Sequence, residues 1–352
     1  MMHSSNFSLR TAPRAIGLAL ALGGMAVSTT AMSTGAVIYN TGDATTASVA
    51  LGVNELGHLN TSDGDITLNA RATGVAAFIE GGPLGSGWYD ATSPGCLCEG
   101  WGVAASGVSG YANESAGTAN LTLDSFTADS SSATSRVYLT SMPDLKVTHA
   151  YAPSASLDVF EAVVTIENAG ATTMTDVRYR RAMDWDIPFD EFNEYVTIGG
   201  TATTGDLLAS SDNGFATSDP LGGGISDLGG CGINTDFVDC GPDDHGAVFD
   251  FGFGDLAAGE SKTFSIFYGA SVDEAAAFAA LGDIGAELFS FGQESGDPKG
   301  GTPRTYIFAF AGVGGSVVVP PPTTTPEPGI LALVSMGLFG LVASRRRRKL
   351  SV

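Results

Sequence analysis

Carboxylates are the residues whose type and spacing suit them to chemistry here. Asp184-x-Asp186-x3-Asp190-Glu191-x2-Glu194 gathers five of them in one short stretch. Along a strand, Asp184 and Asp186 share a face while Trp185 points the other way, into a core. With Asp190, Glu191 and Glu194 on the loop that follows, the set offers the hard oxygen ligands that Ca2+ takes. The pattern is not an EF-hand, because the glycine that loop requires is missing and Pro188 intervenes. A second acidic loop holds Asp236, Asp239, Asp243 and Asp244. The competing readings are a solvated acidic surface and an Asp–Arg pair through Arg180 or Arg181. Glycoside hydrolysis would need two carboxylates facing each other across a sugar. Asp184, Asp186 and Glu194 are candidates, but with 37 acidic residues between Thr34 and Pro326 the spacing selects no pair.

The four cysteines form two clusters, Cys96-x-Cys98 and Cys231-x8-Cys240. In an exported chain an even count reads first as disulfides. Local pairing closes one loop at Cys231–Cys240 and leaves Cys96–Cys98 to bridge within three residues; pairing between the clusters is the alternative. A zinc site of all four is the rival, though neither spacing is the usual C-x2-C. Nucleophilic catalysis has little to work with. There is no G-x-S-x-G and no H-E-x-x-H, and His58, His149 and His245 stand in no triad context. His149 lies in an expected strand and reads as a packed, hydrogen-bonded residue. Gly252-x-Gly254-x-x-Ala257 imitates a dinucleotide fingerprint, but a turn and a strand follow it where a helix is required. Trp88, Tyr89 and Trp101 sit in a glycine-rich stretch, where rings can stack on sugars or pin a core. No catalytic residue is assigned, and the chain is expected not to be an enzyme.

The elements that would position these residues are mostly strands. Segments rich in Val, Ile, Thr, Tyr and Phe, bounded by Gly, Asn, Asp or Pro, recur at Ala36–Tyr39, Ile66–Ala70, Ala119–Leu123, Arg136–Thr140, Leu145–Tyr151, Val159–Glu167, Asp176–Ala182, Glu194–Ile198, Ala247–Phe251, Thr263–Tyr268 and Thr305–Phe310. Consecutive short strands with turn signals predict an all-β antiparallel sandwich, immunoglobulin-like or enlarged. One helical segment is expected from Val272 to about Phe289. Ser271 and Glu274 have capping-box spacing, and Gly282 and Gly285 break or kink the segment. A division near Ser141 is weighed against strands pairing across it, and one integrated domain over 34–316 is expected.

Charge and the two ends give the address. The chain has 352 residues and a formal charge of −22, yet Thr34 to Pro326 carries 9 basic residues against 37 acidic ones. Such a body repels phosphate backbones, which excludes nucleic acid as its partner. Arg10 and Arg14, an apolar run from Ala15 to Val27 and Thr29-Thr30-Ala31 make a secretory signal peptide over 1–33. At the other end a Pro/Thr linker, 317–325, leads to Pro326-Glu327-Pro328. An apolar run from Gly329 to Ala343 and the cluster Arg345, Arg346, Arg347, Arg348, Lys349 follow. As a helix that run spans roughly 22 Å, short of a ~30 Å hydrocarbon core, so snorkelling arginines and local thinning would complete a transmembrane helix. The arginine cluster faces the cytoplasm by the positive-inside rule.

The order of these parts, over 326–352, resembles the PEP-CTERM sorting signal of Gram-negative bacteria. That resemblance implies recognition by exosortase, a membrane cysteine protease, with anchoring in the inner membrane until cleavage and then release or transfer to the cell surface. The body is similar to PEP-CTERM proteins sharing segments such as Pro94-Gly95-Cys96-Leu97-Cys98-Glu99-Gly100-Trp101-Gly102 and Tyr179-Arg180-Arg181-Ala182-Met183-Asp184-Trp185-Asp186, a likeness that implies no activity. The expected function is that of a structural or binding component of the cell surface and exopolysaccharide matrix. A calcium-dependent carbohydrate-binding adhesin is the alternative, and an envelope glycosidase the third reading.

Overall fold

The computed structural model describes residues 35–319. The expected signal peptide and the sorting signal, with its transmembrane helix, lie outside the described residues. Among the described residues no helix is long and apolar enough to cross a membrane.

Eighteen strands and one helix are described, and every strand pairing between them is antiparallel. Strands β1 (Gly35–Tyr39), β2 (Val49–Asn54), β3 (Val75–Gly82) and β4 (Gly85–Asp90) form a four-stranded meander. They are followed by β5 (Gly100–Ala105), β6 (Val108–Asn113), β7 (Leu121–Ala128), β8 (Ala133–Leu139), β9 (Met142–Pro153) and β10 (Val159–Asn168). Next come β11 (Met174–Asp184), β12 (Glu194–Gly199), β13 (Leu207–Ser211), β14 (Phe237–Asp243), β15 (Gly246–Leu256) and β16 (Ser261–Ser271). The helix α1 (Glu274–Asp283) precedes β17 (Leu288–Gln293) and β18 (Thr305–Ala311). Nine strands make one sheet in the order β14-β12-β17-β18-β16-β10-β9-β8-β7, and five make another, β13-β15-β11-β5-β6. Strands on both sides of Ser141 pair directly, β8 with β9 and β5 with β11.

Alternation decides which face is covered. In β10, Phe160, Ala162, Val164 and Ile166 are buried while the residues between them are half-buried. The inward face of the nine-stranded sheet meets the other two sheets. Trp101 of β5 lies 4.4 Å from the His149 ring of β9, Tyr179 of β11 lies 5.0 Å from Phe264 of β16, and Phe249 of β15 lies 5.5 Å from Phe308 of β18. The four-stranded sheet joins the same layer, where the Tyr306 hydroxyl of β18 donates to the Tyr89 carbonyl of β4. The outward face at β16, β17 and β18 is closed by α1, whose Ala277, Ala280 and Leu281 pack with Phe267, Phe289, Phe291 and Ile307. These central strands are therefore apolar on both faces. Burying each phenylalanine contributes about 1.5–3 kcal/mol.

The two edge strands of the large sheet are irregular. The register of β7 on β8 shifts between Leu123 and Ser125, and that of β14 on β12 shifts on either side of Val196.

Two expectations about local structure need correction. Ile66–Ala70 is not a strand: only Thr67 makes a bridge, to Trp88. Asp65 accepts hydrogen bonds from the Thr67 N–H and hydroxyl and from the Thr73 hydroxyl, so a side-chain-closed turn replaces ladder pairing. The helix is also shorter than 272–289. Asp273 caps it by accepting the Ala276 N–H at 2.8 Å, while the Ser271 hydroxyl donates to Asp158. Gly285 takes φ +64°, and the chain from Leu288 becomes β17, with both faces buried.

Candidate functional site

Strand β11 belongs to the five-stranded sheet and β12 to the nine-stranded one, so the chain crosses between layers over 185–193. It crosses back between β14 and β15, through Asp244 and His245. The two crossovers lie side by side, because Asp184 pairs with Gly246 and Glu194 with Asp243. This register carries the first acidic stretch onto the end of the second acidic loop.

Asp184 and Asp186 are 2 % and 0 % exposed, and Asp244 is half-buried. One carboxylate oxygen from each lies within 4.8 Å of the others. Asp184 Oδ1, both oxygens of Asp186 and Asp244 Oδ1 are buried and accept no hydrogen bond. Among the described residues the lysines and arginines that form ion pairs do so with other carboxylates. Burial, and then repulsion from Asp186, Asp244 and Glu194, pushes Asp184 up to about 10. Burial, with Asp244 the next cause, pushes Asp186 up to about 8. Glu194 rises to about 9, chiefly through burial, against hydrogen bonds that favour its charged form. Three or four carboxylates thus share a space with no countercharge, an arrangement that a proton or a cation must neutralise.

The expected ligand set is partly rearranged. Asp184 and Asp186 stay together, but not as one face of a half-exposed strand: β11 ends at Asp184, and Asp184, Trp185 and Asp186 are all buried in the crossover. Trp185 Nε1 donates to the Ser290 hydroxyl at 3.1 Å. Glu194 accepts the His245 N–H at 2.9 Å and the Phe192 N–H at 3.1 Å, so it clamps one crossover to the other. Asp190 and Glu191 do not join the cluster. They sit in a turn in which the Asp190 N–H donates to the Ile187 carbonyl and the Asn193 N–H to the Asp190 carbonyl, and Glu191 acts on Asp186 through its charge. Asp190 receives the Ser295 hydroxyl, and Glu191 receives Asn69 Nδ2 at 3.0 Å. Asp244 enters in their place. Its acidic loop is visible in the sequence, but the register that brings it to Asp184 is not. The loop's other members are engaged locally: Asp236 caps Thr201, the Asp239 N–H donates to the Thr197 hydroxyl, and Asp243 accepts the Asp244 N–H.

The cysteines pair within their clusters, Cys96–Cys98 with S–S 1.90 Å and Cys231–Cys240 with S–S 1.97 Å, so the four do not make a zinc site. Cys96 Sγ lies 3.3 Å from Asp184 Oδ2, but an oxidised sulfur carries no proton to donate. The suggested Asp–Arg pairs fall elsewhere. Arg180 pairs with Asp250 through Nη2 at 2.7 Å, and Arg181 with Glu99.

At the C-terminal end, residues 324–348 match the family model of the PEP-CTERM protein-sorting motif. The chain is a PEP-CTERM domain-containing protein. That motif implies export, a C-terminal membrane anchor until cleavage, and exosortase as the processing partner. No curated protein matches the sequence.

The body of this PEP-CTERM protein holds Tyr89, Trp101, His58, His149 and His245 inward, with Trp88 half-buried. Trp101 is fully buried and donates Nε1–H to the Leu56 carbonyl at 3.0 Å, Tyr89 is buried, and Trp88 packs on Tyr39 and Phe78. They pin the core and do not form an open stacking platform. His149 Nε2 bonds the Tyr179 hydroxyl at 2.9 Å, and burial, then Arg181, hold its imidazole well below the usual range. His245 Nδ1 lies 3.2 Å from Asp212, and His58 Nε2 lies 3.6 Å from Glu114.

Proposed function

We propose that this is an exported protein, processed at its tail by exosortase, whose acidic β body is a non-catalytic structural or binding component of the cell surface and exopolysaccharide matrix. The sorting motif at 324–348 carries the reading. Two disulfides support an oxidising destination. An excess of acidic residues supports a body that stays dispersed and repels anionic partners, so retention in a matrix would rest on neutral glycans or bridging cations.

The test replaces Pro326, Glu327 and Pro328 together by alanine in the producing organism. Cell fractions are then followed with antibodies against the body and against the C-terminal tail. The wild-type body is expected at the surface or in the matrix without its tail, and the variant in the membrane with the tail attached. Equal processing of both would remove the exosortase step. A wild-type body that never reaches the surface or matrix would remove the proposed role.

A further inference from the structure

The geometry points to a calcium site formed by Asp184, Asp186 and Asp244, which fastens together the two crossovers between the sheets. Unlike the tail-based reading of function, it stands on the body alone.

The inference starts from unpaired atoms. Four buried carboxylate oxygens, Asp184 Oδ1, Asp186 Oδ1 and Oδ2, and Asp244 Oδ1, lack a donor, although buried polar groups are ordinarily satisfied. Asp186 is the decisive member, being 0 % exposed with both oxygens unpartnered. Fully buried carboxylates elsewhere in this body do have partners: Glu99 has Arg181, and Asp212 has two backbone N–H groups and His245. At the crossovers it supplies neither a cationic side chain nor a hydrogen bond to these four atoms.

Donor chemistry selects the ion. All the converging donors are carboxylate oxygens, the hard ligands of Ca2+ and Mg2+. The nearby sulfurs are tied up in a disulfide, and the His245 ring faces Asp212 and the Glu194 carbonyl, which leaves no soft or imidazole donor for zinc or copper. Calcium suits the place better than magnesium, because it tolerates irregular carboxylate geometry and completes its shell with water. The half-buried Asp244 leaves a side open for that water and for entry of the ion.

Small residues keep the space clear. A Cβ at Gly214 would stand 2.9 Å from Asp184 Oδ1, and one at Gly95 would stand 3.1 Å from Asp186 Oδ1. Glu194 has both oxygens occupied by N–H donors, so it acts through its charge and holds the crossovers in register.

The test uses the oxidised full-length chain in detergent, stripped with a chelator, dialysed and titrated calorimetrically with CaCl2 alone. Thermal unfolding is followed with Ca2+ and with chelator. One Ca2+ per chain should bind and raise the melting temperature. Asp186→Asn should weaken binding at least about tenfold, since even outer-shell partners of a metal are worth 10–100-fold. That variant, freed of a buried charge, should melt no lower than the metal-free wild type and ignore Ca2+. Asp124→Asn, an exposed carboxylate on β7 at the opposite edge of the nine-stranded sheet from β14, should bind as the wild type does. A wild type that melts identically with Ca2+ and with chelator would show that protons neutralise the cluster, and would overturn the site. Undiminished binding by Asp186→Asn would overturn its assignment to these residues.

Discussion

Arg181 and Glu99 meet as an ion pair with neither side chain exposed. Arg181 also donates to the Gly57 carbonyl at 3.1 Å and to the hydroxyls of Tyr179 and Tyr151, while Glu99 accepts the Leu59 N–H at 2.6 Å and the Tyr268 hydroxyl at 3.2 Å. The pair thereby joins β11 to β9 and β16 and to the β2–β3 connection, tying the two larger sheets to a loop of the four-stranded one. Arg181→Met strands the Glu99 carboxylate without its cation, and should cost about 3–5 kcal/mol in urea unfolding. Arg181→Met combined with Glu99→Leu should recover part of that loss. A single variant as stable as the wild type would contradict the role of the pair.

Asp90 gives the body a pH dependence of definite sign. Burial is the largest influence and raises its carboxyl from 3.8 to about 6, over opposing hydrogen bonds from Gly74, Thr92 and Ser93. Asp186 and Tyr306 are titratable groups that feel its charge. The folded protein takes up this proton more readily than the unfolded chain does. The contribution of Asp90 is therefore full below about pH 4 and is lost as the pH rises through about 6. Its size is up to roughly 3 kcal/mol. Urea unfolding at about pH 4 and about pH 7.5 should show this fall in the wild type and a smaller one in Asp90→Asn.

The two disulfides should differ in weight. Cys231 and Cys240 are nine residues apart, and Cys96 and Cys98 only two. Closing the longer loop restricts the unfolded chain more, by about 2–3 kcal/mol on the chain-entropy model. Replacing Cys231 and Cys240 together by serine should lower stability by that amount, and the Cys96/Cys98 double replacement by less. The reverse order in denaturant titrations would count against the loop-closure account.

Asp273 is the single side chain that caps α1, through the Ala276 N–H. Asp273→Ala should cost about 1 kcal/mol, with Asp273→Ser close to neutral. Ser271→Ala should not act through the helix, because that hydroxyl donates to Asp158. Amide exchange in 274–283 distinguishes the two, with faster exchange expected only in the Asp273 variant.

Strands with one wet face were legible in the sequence. Val159–Asn168 alternates visibly and ends at turn residues. Strands covered on both faces were not. Gly100–Ala105 is buried throughout and built of glycine and alanine around Trp101, so neither periodicity nor propensity marks it. Leu288–Gln293 is apolar on both sides and reads equally well as the end of a helix. At the candidate site, local spacing groups Asp184 with Asp186, which lie together in the structure, while Asp190 and Glu191 bond to Ser295 and Asn69. Asp244 arrives through long-range strand register, which no local spacing encodes.

The irregular margins of the nine-stranded sheet bear on how such a protein tolerates crowding. A long, straight margin would offer a row of free amides and carbonyls to a second copy. Here β7 is displaced at Leu123/Ser125 and carries Asp124, while β14 is out of step on both sides of Val196 and carries Asp239 and Asp243. Twisted, negatively charged margins cannot zip together in register. Both margins of the large sheet are thus poor templates for edge-to-edge pairing with a second copy.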